Sequence, residues 1–127
     1  MLEVQLIGNL GQDPEARYTA EGVLVVSFPV AATRRWTDRD GQKHEETTWV
    51  DVTTWGGLAE VCHQHLTKGR QVFVRGRPDV RAFTRKNGEV GAVLRVTAEE
   101  VIFLGGKPGE KAAQVEAADG SEDDIPF

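Results

Sequence analysis

The alternation of apolar and polar residues is the strongest constraint on how this chain folds. Along much of the first hundred residues every second residue is apolar, as in LEVQL at 2–6, LVVSFPV at 24–30 and LRVTA at 94–98. A β-strand with one buried face has this period, whereas an amphipathic helix repeats every three or four residues. The pattern predicts five strands, at about residues 2–9, 23–34, 46–55, 71–83 and 91–103.

One segment, GLAEVCHQHLTKG at 57–69, has a different period. Helical spacing places its apolar residues Leu58, Val61, Cys62 and Leu66 on one stripe, and Gly69 is a typical helix stop. Three strands, a helix and two strands in an all-β chain is the order of an OB-fold, a five-stranded Greek-key barrel. We expect that fold with one short helix; an SH3-like barrel, which has no helix there, is the main alternative.

Residues 105–127 contrast with this domain. They carry six acidic and two basic residues and almost no side chain that could join a core. We expect a domain at 1–104, a flexible linker at 105–119 and an acidic tip at 120–127, together forming a disordered tail. Of the net charge of -5, the tail contributes -4, so the overall charge does not exclude a polyanionic partner. Between Lys68 and Lys86 the chain has seven basic residues and one acid.

The stretch WVDVTTW, residues 49–55, places large rings where a small domain rarely has them. If Val50, Val52 and Thr54 face the core, Trp49 and Trp55 face outward. Such rings could stack on a ligand, cap the barrel or lie in a subunit interface, and this strand alone leaves all three open.

The strand at 71–83 favours the first of these uses. The even-numbered positions, with Val72, Val74 and Val80, are assigned to the core face of this strand. The odd-numbered positions, on the opposite face, combine rings with charges: Gln71, Phe73, Arg75, Arg77, Asp79, Arg81, Phe83 and Arg85. Rings can stack on bases without reading sequence while guanidinium groups follow phosphates, so this face suits single-stranded nucleic acid. A merely solvated face is the alternative for any one arginine.

Two hairpins extend this pattern. In TRRWTDRDGQKHEE, residues 33–46, the predicted turn is DRDG, and Trp36 is flanked by three arginines, Arg34, Arg35 and Arg39. In RKNG, residues 85–88, an Asn-Gly turn carries the basic tip formed by Arg85 and Lys86. We therefore expect Trp36 to stack on a base.

Several longer motifs resemble the bacterial single-stranded DNA-binding proteins: GNLGQDPEARY at 8–18, the Trp36 hairpin, TTWVDVTTWGGLAEV at 47–61, LTKGRQVFVRG at 66–76 and the final DDIPF at 123–127. The resemblance implies a cytoplasmic, nucleoid-associated homotetramer of OB-folds that binds single-stranded DNA without sequence preference in replication, recombination and repair. By motif position it implies base stacking by Trp36, Trp49, Trp55 and Phe83, and phosphate contacts by Arg17, Arg39 and Lys68.

The sequence departs from the family pattern at a few of these positions. Phe83 stands where a tryptophan is usual and Trp55 where a phenylalanine is usual, which keeps a ring at each site. Asp51 and Gly57 replace positions that are often basic. Two outcomes are open: Arg34, Arg75 and Arg77 compensate for the lost positive charge, or the affinity for DNA is lower.

The final residues combine acids with apolar side chains. Asp123 and Asp124 precede Ile125, Pro126 and Phe127, which would otherwise favour burial. The resemblance implies that this tip docks replication and repair proteins, with the apolar residues and the terminal carboxylate in a pocket and the acids on its basic rim. A solubilising tail is the alternative, but it does not account for Phe127.

Other functions are less well supported by the sequence. Cys62, His63 and His65 lack a second ligand pair, so we expect no metal, and no cofactor or catalytic constellation is apparent. No segment is apolar enough to span a membrane. An accessory OB-fold protein that binds proteins more than DNA, a nuclease and an oligosaccharide-binding domain remain alternatives.

Overall fold

A computed structural model of the chain describes residues 1–105 and the backbone of residues 113–116. Its elements, in chain order, are β1 (Val4–Leu10), β2 (Glu15–Tyr18), β3 (Leu24–Thr37), β4 (Lys43–Trp55), α1 (Gly56–His65), β5 (Gln71–Thr84), β6 (Val90–Leu104) and β7 (Ala113–Glu116). The five predicted strands and the predicted helix are all present.

The five long strands close into a barrel. Their sheet runs in the order β1-β5-β6-β4-β3, and β1 pairs with β3 through Asn9–Ala31 and Leu10–Val30, which joins the two ends. The pairings are antiparallel except for β4 and β6, which run parallel. The OB-fold prediction is therefore confirmed. The short strand β2, which pairs with the outer edge of β3, was not predicted, because its residues EARY are all exposed and four residues are too short a run for alternation to indicate a strand.

The barrel core contains the residues that the alternation assigned to it. In β3 and β4 the side chains of Val26, Phe28, Val30, Val50 and Val52 are buried. The helix closes one end, where its stripe of Leu58, Cys62 and Leu66 packs into the same cluster. Thr54 is also buried, and its hydroxyl donates a hydrogen bond of 2.8 Å to the Val26 carbonyl. This bond satisfies the polar group that the alternation carries into the core.

Val80 was assigned to the core, and that assignment is wrong. Its side chain is 67% exposed although it has the same parity as the buried Val72 and Val74. Residues 79–84 of β5 are all exposed, whichever face they occupy. Residues 81–84 pair with residues 90–93 of β6 in a two-stranded arm that extends beyond the barrel. Val80, opposite Leu94, lies at the base of this arm, where parity no longer separates core from solvent.

A β-bulge changes the inward face of β6. Arg75 pairs with Glu100 but Gly76 pairs with Ala98, which leaves Glu99 as the extra residue on β6. The buried residues of β6 accordingly switch from Val96 and Ala98 to Val101 and Phe103. Bulges increase local twist, which a small closed barrel needs.

The backbone of Ala113–Glu116 forms β7, antiparallel to the end of β6. These four residues belong to the segment for which a flexible linker was expected, and that expectation stays a prediction. Residues 106–112 and 117–127, which hold the remainder of the expected linker and the whole expected tip, lie outside the described residues.

The seam between β1 and β3 depends on the absence of a side chain at Gly8. A Cβ atom there would overlap the Ala31 carbonyl oxygen and lie 2.7 Å from Val30 Cγ1. Backbone cannot move aside as a flexible side chain can, so any larger residue would force the seam apart.

We expect Gly8→Ala to destabilise the domain by about 1–3 kcal/mol, the usual range for overpacking a closely packed site. Urea denaturation followed by circular dichroism measures the change as a lower midpoint at an unchanged slope. A midpoint equal to that of the parent protein would show that the seam accommodates a methyl group.

Candidate nucleic-acid interface

Trp49 and Trp55 lie on the outer face of β4, as the sequence predicted. Their side chains are 56% and 46% exposed, and they alternate with the buried Val50, Val52 and Thr54. The core residues fix the parity of the strand, so neither ring can turn inward without displacing a valine. The fold therefore presents two large rings to solvent on one face.

The Trp49 ring packs against a glycine, Gly11. A Cβ atom at Gly11 would lie 2.7 Å from Trp49 Cη2, so the ring lies directly against the glycine backbone. The Gly11 amide donates a hydrogen bond of 2.9 Å to the Pro29 carbonyl, which anchors this support to β3. The Trp49 ring is thus held in place while more than half of its surface stays accessible.

Phe83 has a similar arrangement on the arm. Its cross-strand partner is Gly91, where a Cβ atom would lie 2.6 Å from Phe83 Cζ. The Arg85 guanidinium lies over the Phe83 ring, 5.2 Å from the ring centroid. A cation over an aromatic face is attracted by the ring quadrupole, so charge and ring are presented together.

Trp36 is held by its own hairpin. Its cross-strand partner His44 stacks on it, with centroids 5.3 Å apart and planes at 19°, and the Arg34 guanidinium lies 4.6 Å from the ring centroid.

His44 Nε2 is 2.7 Å from Asp38 Oδ2. Asp38 Oδ1 accepts hydrogen bonds from the amides of Asp40 and Gln42, which form the predicted turn. Trp36, His44 and their neighbours line a surface groove.

The same contacts affect the Asp38 carboxyl. The hydrogen bond from His44, followed by that from the Gln42 amide, lowers its pKa below the usual value. The carboxylate is therefore present throughout the neutral range, and the turn and the His44 contact stay intact there.

The predicted basic residues fall into two groups. Among residues 1–105, no carboxylate pairs with the side chains of Arg17, Arg34, Arg39, Lys68, Arg77, Arg81, Arg85 or Lys86. Arg35 and Arg75, by contrast, are paired. Arg35 Nε is 3.1 Å from Glu45 Oε2, an exposed pair.

Arg75 is held by two carboxylates. Its Nη1 is 2.7 Å from Glu3 Oε1 and its Nε is 3.2 Å from Glu100 Oε1. These hydrogen bonds, Glu3 first, raise the pKa of Arg75 above its ordinary value. Its charge is largely neutralised at that position.

The strand register brings six of the predicted rings and cations to one side. One row of paired residues runs from Arg77 on β5 through Thr97 on β6 and Thr53 on β4 to Ser27 on β3. A neighbouring row, through β4, β3 and β2, joins Trp55, Val25 and Arg17. We call the outer side of β4, β5 and β6 the aromatic face; it carries Trp49, Trp55, Arg77, Arg81 and Phe83. The Trp36 and RKNG hairpins extend from its strands.

One residue of the aromatic face was missed. Arg95 has the outward parity in β6, between the partly buried Leu94 and the buried Val96, and lies between Asp79 on β5 and Asp51 on β4. The signal was visible in the sequence, since Arg95 occupies the polar position of the LRVTA alternation.

The remaining candidate chemistry is limited. Cys62 is buried, and desolvation raises the pKa of its thiol to about 12, so it stays protonated and unreactive at neutral pH. In the part of the chain that the structure describes, no group of three His, Cys, Asp or Glu side chains could hold a metal ion. No helix within that part is long and apolar enough to cross a bilayer. The tip residues Asp123, Asp124, Ile125, Pro126 and Phe127 lie outside the described residues.

Comparison with known proteins places this architecture in a family. Residues 1–104 match the Single-strand binding protein family. The chain belongs to that family. It is 41% identical over 105 residues to a protein named single-stranded DNA-binding protein from Neisseria meningitidis, and 42% identical over 106 residues to single-stranded DNA-binding protein 1 from Xylella fastidiosa. Each match covers 83% of this chain. The chain spans 60% of the Neisseria protein's length and 78% of the Xylella protein's.

Solved structures show the same barrel. A Plasmodium falciparum SSB, in a complex with single-stranded DNA, superposes with a TM-score of 0.70 at 23% identity, over 83% of this chain and 96% of its own. A small single-stranded DNA-binding protein from Streptomyces coelicolor gives a TM-score of 0.71 at 27% identity, over 81% of this chain and 94% of its own. The family assignment and the OB-fold are thereby established together.

The Trp36 stack predicts a measurable effect of His44. In a background with Trp49 and Trp55 replaced by Phe, we expect His44→Ala to increase acrylamide quenching of Trp36 fluorescence. The substitution removes a cross-strand ring contact, the kind that contributes about 0.2–1 kcal/mol. His44→Phe, which keeps a ring, should restore the quenching of the background protein. Equal quenching in all three proteins would show that His44 does not hold the ring.

Proposed function

We propose that the chain is a sequence-independent single-stranded DNA-binding protein that coats and protects single strands in replication, recombination and repair. The observation that carries this proposal is the aromatic face, where the exposed rings of Trp49, Trp55 and Phe83 share one side of the sheet with Arg77 and Arg81, which no carboxylate of residues 1–105 neutralises. A duplex hides its bases from such a surface, whereas an unpaired strand offers both stacking faces and phosphates.

The proposed contacts divide into stacking and charge. Trp36, Trp49, Trp55 and Phe83 stack on bases. The phosphate contacts come from Arg17, Arg34, Arg39, Lys68, Arg77, Arg81, Arg85 and Lys86. Arg35 and Arg75 join them only if a phosphate competes with their carboxylate partners, since each is ion-paired in the free protein. No base-specific hydrogen bond is needed, because every base has a π-face.

The assembly is proposed to be a homotetramer in the cytoplasm, associated with the nucleoid. A single copy exposes apolar side chains outside the aromatic face, among them Leu2, Ile7 and Val90. Their burial between subunits would remove apolar area from water. The proposal involves no cofactor and no enzymatic activity, and nucleic acid and protein are the proposed partners.

The partner proteins are proposed to be replication and repair proteins that bind the acidic tip. Asp123 and Asp124 would meet basic side chains on the rim of a pocket, while Ile125, Pro126, Phe127 and the terminal carboxylate fill it. The short segment between the domain and the tip limits the reach of each tip, and several tips in one tetramer would raise the effective concentration near a bound strand.

Titration with poly-dT at several salt concentrations, followed by tryptophan fluorescence, tests the function directly. We expect quenching on binding and a fall of log affinity with log salt of about 0.7 per phosphate contact. Trp36→Ala and Trp49→Ala should each weaken binding by about 1–3 kcal/mol, the range for one lost base stack.

Tyr18→Ala is the matched control for these substitutions. Tyr18 is an exposed ring, but it pairs with Leu24, on the opposite parity to Arg17 and the aromatic face. Its loss should leave affinity unchanged. If Trp36→Ala and Trp49→Ala bind as tightly as the parent, the rings are not stacking platforms. Salt-insensitive binding of glycans would favour the oligosaccharide-binding alternative, and degradation of the strand would favour a nuclease.

Removal of residues 120–127 separates DNA binding from partner binding. The truncated protein should retain its melting temperature and bind poly-dT as tightly as the parent or slightly more so, because the lost acids compete with phosphates for the basic surface. Recovery of replication and repair proteins from a bacterial lysate, identified by mass spectrometry, should be lost. Phe127→Ala, which keeps every acid, should lose the same proteins. Equal recovery with full-length and truncated protein would contradict the docking role.

A further inference from the structure

Arg95 occupies the centre of the aromatic face. The pairing register puts it in one row with Asp79 on β5 and Asp51 on β4. On one side of this row lie Trp49 and Arg81, and on the other lie Trp55 and Arg77. A strand that stacks on both tryptophans must therefore cross the row, and its phosphates pass close to the Arg95 side chain.

Only part of the hydrogen-bonding capacity of the Arg95 guanidinium is satisfied within residues 1–105. Its Nη2 donates a hydrogen bond of 2.6 Å to Asp79 Oδ2, in a pair whose side chains are 38% and 60% exposed. Its Nε is buried and makes no hydrogen bond to any of residues 1–105. Asp51, on the other side of the row, is not bonded to it in the described part of the chain. Asp79 is thus the carboxylate that holds Arg95.

We propose that Arg95 is a phosphate-binding residue of this surface and that Asp79 competes with the DNA phosphate for it. The inference rests on the proposed function. It adds to that function a phosphate contact at Arg95 and a carboxylate of the same chain, Asp79, that competes for it. A guanidinium binds phosphate through two parallel hydrogen bonds as readily as it binds a carboxylate. An exposed ion pair contributes little to stability, so a phosphate can displace Asp79 at small cost.

This exchange changes how binding depends on salt. When a phosphate displaces Asp79, one negative charge replaces another on Arg95, and the freed carboxylate takes up a cation as the DNA loses one. The contact then adds little net counterion release. Without Asp79, the same contact would add its full share, about 0.7 in the slope of log affinity against log salt. Asp79 therefore lowers both the affinity and its salt dependence.

The test compares substitutions on the two sides of Arg95. Asp79→Asn removes the competing charge with little change of shape and should bind oligo-dT about two- to fivefold more tightly, the fold-change that corresponds to an exposed ion pair. The salt slope should steepen by about 0.7. Asp51→Asn is the matched control, because it removes the same charge from the same face and row without releasing Arg95. It should raise affinity less and leave the slope unchanged.

A double substitution shows whether the gain passes through Arg95. Adding Arg95→Gln to Asp79→Asn should return the affinity and the slope to those of the parent protein. Melting curves confirm that each variant is folded, which is expected because both side chains of the pair are accessible.

The outcomes are distinct. If Asp79→Asn and Asp51→Asn tighten binding equally, or Asp79→Asn leaves affinity and slope unchanged, Asp79 does not compete for Arg95 and the inference fails while the proposed function stands. If the steeper slope persists after Arg95→Gln is added, the new contact belongs to another residue and the inference fails again. Failure of the parent protein to bind oligo-dT at low salt would overturn both.

Discussion

The burial of one side of β4 determines where the functional chemistry can lie. Val50, Val52 and Thr54 fill the barrel core, and the Thr54 hydroxyl is bonded within it at 2.8 Å. Because a strand alternates its side chains, the same burial places Trp49 and Trp55 in solvent. Turning either ring inward would cost a buried valine and leave a hole in the core, a loss of several kcal/mol. The exposed rings are thus a consequence of the packing.

The neighbouring strands convert these rings into a surface. Close approaches at Gly8 and Gly76 allow β1 to meet β3 and β5 to follow the bulged β6, so the barrel closes with a strong twist. Gly11 and Gly91 then contact the rings of Trp49 and Phe83. Each ring rests on backbone, which fixes its orientation at little entropic cost. Preorganised rings lose less freedom on binding than mobile ones, which favours stacking on a flexible strand.

The sequence predicted the features that depend on local period and turn chemistry. The five strands, the helix stripe, the turn at 38–41, the turn at 85–88 and the outward tryptophans are all confirmed. Val80 was misplaced because parity carries no information on where the barrel ends and the exposed arm begins. The strand β2 was missed because its four exposed residues are too short a run for alternation to indicate a strand.

Contacts between distant residues could not be predicted in this way. Arg75 was assigned to the phosphate contacts, yet Glu3, 72 residues away in sequence, pairs with it across β1 and β5. The His44 stack on Trp36 depends on the register of the β3–β4 hairpin, and the Asp79–Arg95 pair on that of the β5–β6 hairpin. Each register follows from the length of the turn that joins the two strands. The DNA-contact roles given to individual residues, and the role of the tip, remain predictions.

The central claim is that the aromatic face and the Trp36 hairpin together form the path of a single strand. A crystal structure of the protein bound to oligo-dT tests it most directly. The account predicts bases stacked on Trp36, Trp49, Trp55 and Phe83, with phosphates beside Arg77 and Arg81 and the strand crossing the row that contains Arg95. Electron density for the strand on the opposite side of the barrel, with these rings free of bases or buried between subunits, would contradict it.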